Sequence, residues 1–81
     1  MARYARIKPK RLTQKLLQIR IGLGLSQNQM IGLLKLQDSL TQAELSAFEL
    51  GKRVPPLVVL LRYARSVDIH VEDLIDDDIV L

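Results

Sequence analysis

Hydrogen-bonding side chains and positive charges are concentrated in residues 40–56, LTQAELSAFELGKRVPP. Gln42 carries a carboxamide that both donates and accepts hydrogen bonds, and the hydroxyl of Ser46 has the same ability. Lys52 and Arg53 add two positive charges directly after them. This combination suits noncovalent recognition of a polar or anionic surface.

Residue types for catalysis or metal binding are scarce in this chain. It has no cysteine, and its one histidine, His70, lies near a predicted helix start, where we expect a capping or surface role. The acidic stretch EDLIDDD lacks the glycine turn and the ligand order of a calcium loop, and no glycine-rich phosphate-binding loop is present. We therefore predict no enzymatic activity, no metal site, no cofactor and no small-molecule ligand.

Charges of opposite sign are separated along the sequence. Residues 1–25 contain seven cations and no acid, residues 51–65 contain four cations and no acid, and residues 66–81 contain six acids and no cation. A solvated surface would explain one such basic block. Two basic blocks on either side of the segment described above favour a polyanionic partner on one face, with the acidic end as a solvated terminus facing away from it.

Length and composition exclude several classes of protein. A chain of 81 residues suffices for one domain with a single core. No apolar run reaches the ~20 residues that a bilayer span needs, and no signal-peptide core follows the basic first residues. The absence of cysteine suits a reducing cytosol. We expect a cytoplasmic protein without membrane contact.

Two helices are predicted before residue 40. The first accommodates Pro9 at its first position, ends at GLG (22–24), and has an apolar stripe of Leu12, Leu16, Ile19 and Leu23. The second begins with a capping box in which Ser26 caps and Gln29 reaches back. Its buried face is predicted to contain Met30, Ile31 and Leu34. Residues 35–40 either extend this helix or form a long ordered corner.

Three further helices complete an all-α prediction. Thr41 and Glu44 form a second capping box for a helix over 42–50, which Gly51 closes. Its inward residues are Leu45 and Phe48. A fourth helix follows Pro55 and Pro56, with a stripe of Leu57, Leu60, Leu61 and Ala64. A fifth, over 71–76, is docked by Leu74 and Ile75. No strand-like alternation persists.

Two stretches, LLQIRIGLGLSQNQM and LSAFELGKRVPPLVVLLRYARSVDIHVEDLI, resemble the lambda-repressor-like, or XRE-type, helix-turn-helix DNA-binding domain. The run ELGKRVP is similar to the Glu-x-Gly-(Lys)-x-x-Pro signature of that family. The resemblance covers residues 10–76, although the connection at 35–40 is longer than in typical members. It implies a five-helix fold with a basic arm (1–8), the DNA-binding domain (9–76) and a C-terminal tail (77–81).

The third helix is the expected recognition helix, since a major groove about 12 Å wide admits one short helix with a small or polar outer face. The predicted base-reading residues are Gln42, Ala43, Glu44, Ser46, Ala47 and Leu50. Gln42 can pair with N6 and N7 of adenine, and the alanine methyls can meet a thymine methyl. Each prediction has a structural alternative. Gln42 is then only an exposed, solvated glutamine, the alanines only favour helix formation, and Glu44 only caps the helix.

Phosphate contacts are expected from the elements beside the groove. The predicted residues are Ser26, Gln27, Asn28, Thr41, Lys52 and Arg53. The start of the second helix offers free backbone N–H groups, and the resemblance implies that Gln27 contacts the DNA backbone. The arm, through Arg3, Arg6, Lys8 and Lys10, either follows the backbone or minor groove or is only a solubilising tail. Glu49 is expected to be structural, paired with Arg53 or Arg20.

These features predict sequence-specific binding of double-stranded DNA by a transcriptional regulator or repressor, nucleoid-associated when bound, or by an engineered DNA-binding module. The alternative is a protein-interaction module such as a toxin-neutralising antitoxin. Two assemblies stay open. One is a homodimer on two half-sites about 10 bp apart, with an apolar seam of residues 79–81, Leu74 and Ile75. The other is a monomer.

Overall fold

The structure is a computed structural model that describes residues 10–81, and this range is helical without strands. Its helices are α1 (Leu12–Gly22), α2 (Gln27–Leu34), α3 (Gln42–Glu49), α4 (Leu57–Ser66) and α5 (Val71–Ile75). The all-α prediction with five helices is therefore confirmed for this part of the chain. None of these helices is long and apolar enough to cross a membrane.

One apolar core joins all five helices. α1 packs against α3 and α5, α2 against α3 and α4, and α4 against α5. The largest fully buried side chains are Tyr63, Leu16, Met30, Leu34, Leu45 and Leu74. Each helix contributes to this set or to the core around it, so α3 is held from the side of α1 and from the side of α2.

Both predicted capping boxes are present and set the first residues of α2 and α3. The Ser26 hydroxyl accepts from the Gln29 backbone N–H at 3.1 Å, and the Gln29 carboxamide accepts from the Ser26 N–H at 2.8 Å. Thr41 and Glu44 repeat the arrangement at 3.2 and 3.0 Å. Because each box links residues three apart, its sequence signature is local and readable.

The end of α3 also follows the prediction. Gly51 has φ +76°, its N–H donates to the Phe48 carbonyl, and the Lys52 N–H donates to the Ala47 carbonyl at 2.9 Å. These are the two bonds of a Schellman motif. A Cβ at position 51 would lie 3.3 Å from the Thr13 hydroxyl oxygen, so both backbone conformation and close approach to α1 favour glycine there.

The first helix ends at Gly22, within the predicted GLG stop, but differs from the prediction at its start and in one residue of its apolar stripe. α1 begins at Leu12, whereas Pro9 lies outside the described residues. Its start is closed by Asp77, whose carboxylate oxygens accept from the backbone N–H groups of Lys10 and Arg11, both at 2.9 Å. Leu23 was wrongly placed in the apolar stripe: the helix ends at Gly22, Leu23 is exposed, and Leu25 packs against the core instead.

Residues 35–41 form the ordered corner rather than an extension of α2. Lys35 ends α2 with φ 59°, and the Leu40 N–H donates to the Leu36 carbonyl at 2.8 Å. Leu36 and Leu40 are both buried in the core. The additional length of the connection is therefore anchored at two points, and α3 starts from a fixed position.

Two predicted core positions near the C-terminus are wrong. Leu57 is 64% exposed, because α4 buries the stripe of Val59, Leu60, Tyr63 and Ala64 and turns its first residue outward. Ile75 is 42% exposed, and Leu74 alone docks α5. Leu74 is thus unavailable for the predicted dimer seam.

The acidic end is more than a solvated terminus. Besides the contact of Asp77 with the start of α1, the buried Lys15 donates its ammonium group to the carbonyls of Asp73 and Asp76, both at 2.7 Å. A cation at the C-terminal end of a helix satisfies carbonyl groups that lack helical partners. Residues 73–77 are consequently tied to α1 by charge and by hydrogen bonds.

Candidate nucleic-acid interface

The outer face of α3 has the predicted composition. Leu45 and Phe48 are buried, and on the other side Gln42, Ala43 and Leu50 are exposed. Ser46 and Ala47 are partly exposed between them. The accessible surface of this eight-residue helix and its C-cap Leu50 consists of one carboxamide, one hydroxyl, small or apolar groups and the partly exposed carboxylate of Glu44. We call Gln42, Ala43, Ser46, Ala47 and Leu50 the reading face.

A bidentate ion pair fixes the C-terminal end of α3 to α1. The Arg20 guanidinium donates to both Glu49 carboxylate oxygens, Nε to Oε2 at 2.7 Å and Nη2 to Oε1 at 3.0 Å. It also donates to the Leu25 carbonyl at 2.9 Å. The side chains are 14% and 4% exposed. The hydrogen bond with Glu49 raises the pKa of Arg20, against the opposing effect of burial. Of the two predicted partners of Glu49, Arg20 is therefore the one found.

The same carboxylate begins a chain of side chains that reaches the reading face. Gln27 donates its Nε2 to Glu49 Oε1 at 3.1 Å, and Gln42 donates its Nε2 to Gln27 Oε1 at 3.2 Å. A carboxylate only accepts, so Gln27 must turn its NH₂ group toward Glu49 and its oxygen toward Gln42. Gln42 must then donate. The orientation of both carboxamides is thus set by the buried pair.

This chain leaves one N–H and the oxygen of the Gln42 carboxamide without a partner among residues 10–81. One donor and one acceptor side by side match the N7 and N6 groups of adenine in the major groove. Gln27 was predicted as a phosphate contact. Most of its carboxamide is occupied by Glu49 and Gln42, which makes it a residue that orients Gln42, with one N–H remaining.

The N-terminal ends of α2 and α3 lie side by side, since Gln27 and Gln42 are in contact across them. Within the described range, the backbone N–H groups of Gln27 and Asn28 have no partner. The Ser26 and Thr41 hydroxyls both accept bonds of their own helices. Two helix N-termini in one place present positive partial charge and free donors to an anion.

Glu44 has the capping role, which was one of its two predicted roles. Its Oε1 accepts from the N–H and the hydroxyl of Thr41, at 3.0 and 3.2 Å, and its Oε2 lies 3.9 Å from Arg53 Nη1. The Thr41 backbone bond, followed by the hydroxyl bond, lowers the pKa of Glu44. One carboxylate oxygen is therefore committed to the helix start.

The predicted cations beyond α3 are exposed, and one of them, Arg53, borders a cleft that the sequence did not indicate. Lys52 and Arg53 lie in the loop after α3. Arg53 and Lys10 border a cleft of about 250 Å³, which is also lined by Thr13 and Val54. Thr13 and Val54 were not predicted, because only the packing of α1 on α3 brings them together. Arg3, Arg6 and Lys8 of the arm lie outside the described residues.

No protein-family model, no curated protein and no solved structure matches this chain. No group of three or more His, Cys, Asp or Glu side chains within residues 10–81 could hold a metal ion. The interpretation of the reading face therefore depends on its own geometry.

Proposed function

We propose that this chain is a lambda-repressor-like helix-turn-helix protein that binds double-stranded DNA sequence-specifically through α3 in the major groove, as a regulator or repressor of transcription. The observation that carries the proposal is the hydrogen-bonded chain from Arg20 through Glu49 and Gln27 to Gln42. It orients a carboxamide at the exposed start of a short helix, where it can meet a base edge.

The dimensions of α3 support insertion into a groove. Eight residues rise roughly 12 Å along the helix axis, and the small side chains of the reading face let the backbone come close to the bases. Leu45 and Phe48 back the helix from the core, so insertion does not require it to move. The exposed Leu50 adds an apolar group suited to a thymine methyl.

Backbone contacts are available on both sides of the reading face. The starts of α2 and α3 offer amide donors on one side, and Lys52 and Arg53 offer positive charge on the other. Phosphate contacts release counterions, so the affinity should fall steeply with salt. Glu49, although close, is neutralised by Arg20 and does not repel the phosphates as a free carboxylate would.

The test is a binding selection from a pool of randomised duplex DNA near physiological salt, followed by sequencing of the bound fraction. We expect a short motif with adenine at the position of Gln42. One copy would indicate a monomer and an inverted pair a dimer. Gln42→Ala should lose that adenine, whereas Gln18→Ala, a glutamine-to-alanine change on α1, should keep it. Absence of any retained DNA would refute the proposal and favour the antitoxin-like alternative.

A further inference from the structure

A second basic surface lies at the far end of α2, away from the reading face. A cleft of about 360 Å³ there is lined by Leu33, Leu34, Lys35, Arg62, Arg65 and Ser66. Val58, which is half exposed, lies one turn before Arg62 on the outer side of α4. We call Leu33, Lys35, Val58, Arg62 and Arg65 the α2–α4 surface.

This surface is separate from the DNA contacts proposed above. Gln27 is the first residue of α2 and Leu34 the last, so roughly 12 Å of helix separates the two ends. The N-terminal end of α2 faces α3, whereas the cleft is closed by the C-terminal half of α4. The cations of the α2–α4 surface are therefore not among the residues that the proposed DNA contacts use.

Within residues 10–81, the cations of the α2–α4 surface also lack acidic partners. Neither Lys35 nor Arg65 makes a side-chain hydrogen bond or ion pair within residues 10–81, and Arg62 uses only one N–H, on the Leu34 carbonyl at 2.8 Å. Lys35 moreover has φ 59°, a conformation that glycine adopts more readily. Folding alone therefore does not account for a lysine there.

The apolar residues beside these cations favour a protein as the occupant. Leu33 is 46% exposed and Val58 is 50% exposed. A phosphate backbone gains little from apolar side chains, whereas an acidic protein surface with apolar groups would cover both kinds of residue.

Such a surface exists on the same chain, around α5. Glu72, Ile75, Asp76, Asp78 and Val80 are exposed, and Val80 is 76% exposed. Within the described residues no ion pair involves these acids, although the ammonium group of Lys15 reaches the Asp76 carbonyl from α1. We call these five residues the α5 surface. α5 packs on α1 and α4, whereas α2 packs on α3 and α4, so the two surfaces are built on different helix pairs and share no residue.

We propose that the α2–α4 surface of one copy binds the α5 surface of a second copy, head to tail. The cations meet the acids, and the exposed leucine and valine side chains meet Ile75 and Val80. Because the two surfaces differ, each bound copy leaves one of each kind free, and association continues beyond two copies. The contact needs no DNA, and it weakens as salt screens the charges.

Sedimentation velocity without DNA tests this, at 50 and 500 mM NaCl and at increasing protein concentration. At low salt, the weight-average mass of the wild type should rise beyond twice the monomer mass, and at high salt it should fall toward the monomer. A wild type that stays monomeric, or that stops at a dimer, overturns the proposal. A wild type that stops at a dimer would indicate a symmetric interface, such as one formed by residues 79–81.

Two variants with one surface removed make the test specific. Lys35→Gly with Arg65→Glu removes the basic surface, and Glu72→Lys with Asp78→Lys removes the acidic one; none of these side chains has a partner in the core. Each variant alone should be monomeric, and an equal mixture should form dimers that grow no further. Folded variants that still associate alone, or a mixture that stays monomeric, overturn the proposal. Lys52→Glu, a matched charge reversal outside both surfaces, should associate like the wild type.

Discussion

The substitution Glu49→Gln tests whether the buried ion pair holds the domain together. Glu49 accepts three hydrogen bonds, two from Arg20 and one from Gln27. A glutamine keeps the shape but turns an NH₂ group toward donors and leaves Arg20 without a counter-charge. Breaking a buried pair costs about 3–5 kcal/mol, and since the Arg20 side chain retains 14% exposure we expect the lower end, about 3 kcal/mol.

That loss is large for a domain of this size. At 4–8 °C per kcal/mol, it lowers the midpoint of thermal unfolding by roughly 12–24 °C. The assay is thermal and urea unfolding followed by circular dichroism at 222 nm. Glu44→Gln, at a partly exposed carboxylate, is the matched control, and its unfolding midpoint should fall much less. Arg20→Met with Glu49→Leu should recover most of the loss, because paired apolar side chains can replace a buried ion pair.

The reasoning would be refuted by a Glu49→Gln variant within about 1 kcal/mol of the wild type, which is the range of an exposed pair. It would also fail if the double apolar variant were no more stable than the single one. In that case the loss would come from packing at position 49 rather than from the uncompensated charge of Arg20.

Four further predictions concern other contacts. The backbone hydrogen bonds from Lys10 and Arg11 lower the pKa of Asp77, so its contribution to the free energy of unfolding is present above the ordinary aspartate pKa and is lost as pH falls through the folded value. Asp77→Asn should therefore flatten the loss of stability below about pH 4. An unchanged dependence of stability on pH in this acid range would contradict the prediction. Because Lys35 has φ 59°, Lys35→Gly should raise the free energy of unfolding in urea by about 0.5–1 kcal/mol, and Lys35→Ala should not raise it. Burial raises the pKa of Tyr63, and its hydroxyl has no hydrogen-bond partner among residues 10–81. Tyr63→Phe should therefore leave the free energy of unfolding unchanged or raise it by about 1 kcal/mol. A lower free energy of unfolding would contradict the unpartnered hydroxyl. Gln42→Ala should reduce discrimination for adenine by about 1–3 kcal/mol in competition binding, with unchanged stability as the control.

The chain from Arg20 to Gln42 links stability to the proposed recognition. Gln27→Ala removes only its middle member, so the ion pair remains while Gln42 loses the contact that orients it. The structure thereby separates a folding role, in Arg20 and Glu49, from a positioning role, in Gln27.

Features determined within a few residues could be predicted from the sequence. Both capping boxes join residues three apart, and the left-handed Gly51 closes α3 through bonds to the preceding turn. The buried side of α3 followed from helical spacing, because Leu45 and Phe48 fall on one face. Local geometry alone therefore sufficed for the starts of α2 and α3 and for the reading face.

Tertiary structure decided the contacts between residues far apart in the chain. Gln27 and Glu49 are 22 residues apart, and Lys10 and Asp77 are 67 apart. Either of two apolar stripes of α4 could have been buried, and the packing of α2 and α5 selected the one without Leu57. Which donor a carboxylate meets depends on how helices pack against each other. No local periodicity encodes that choice, and only the folded chain specifies Arg20 as the partner of Glu49 and Gln27 as the support of Gln42.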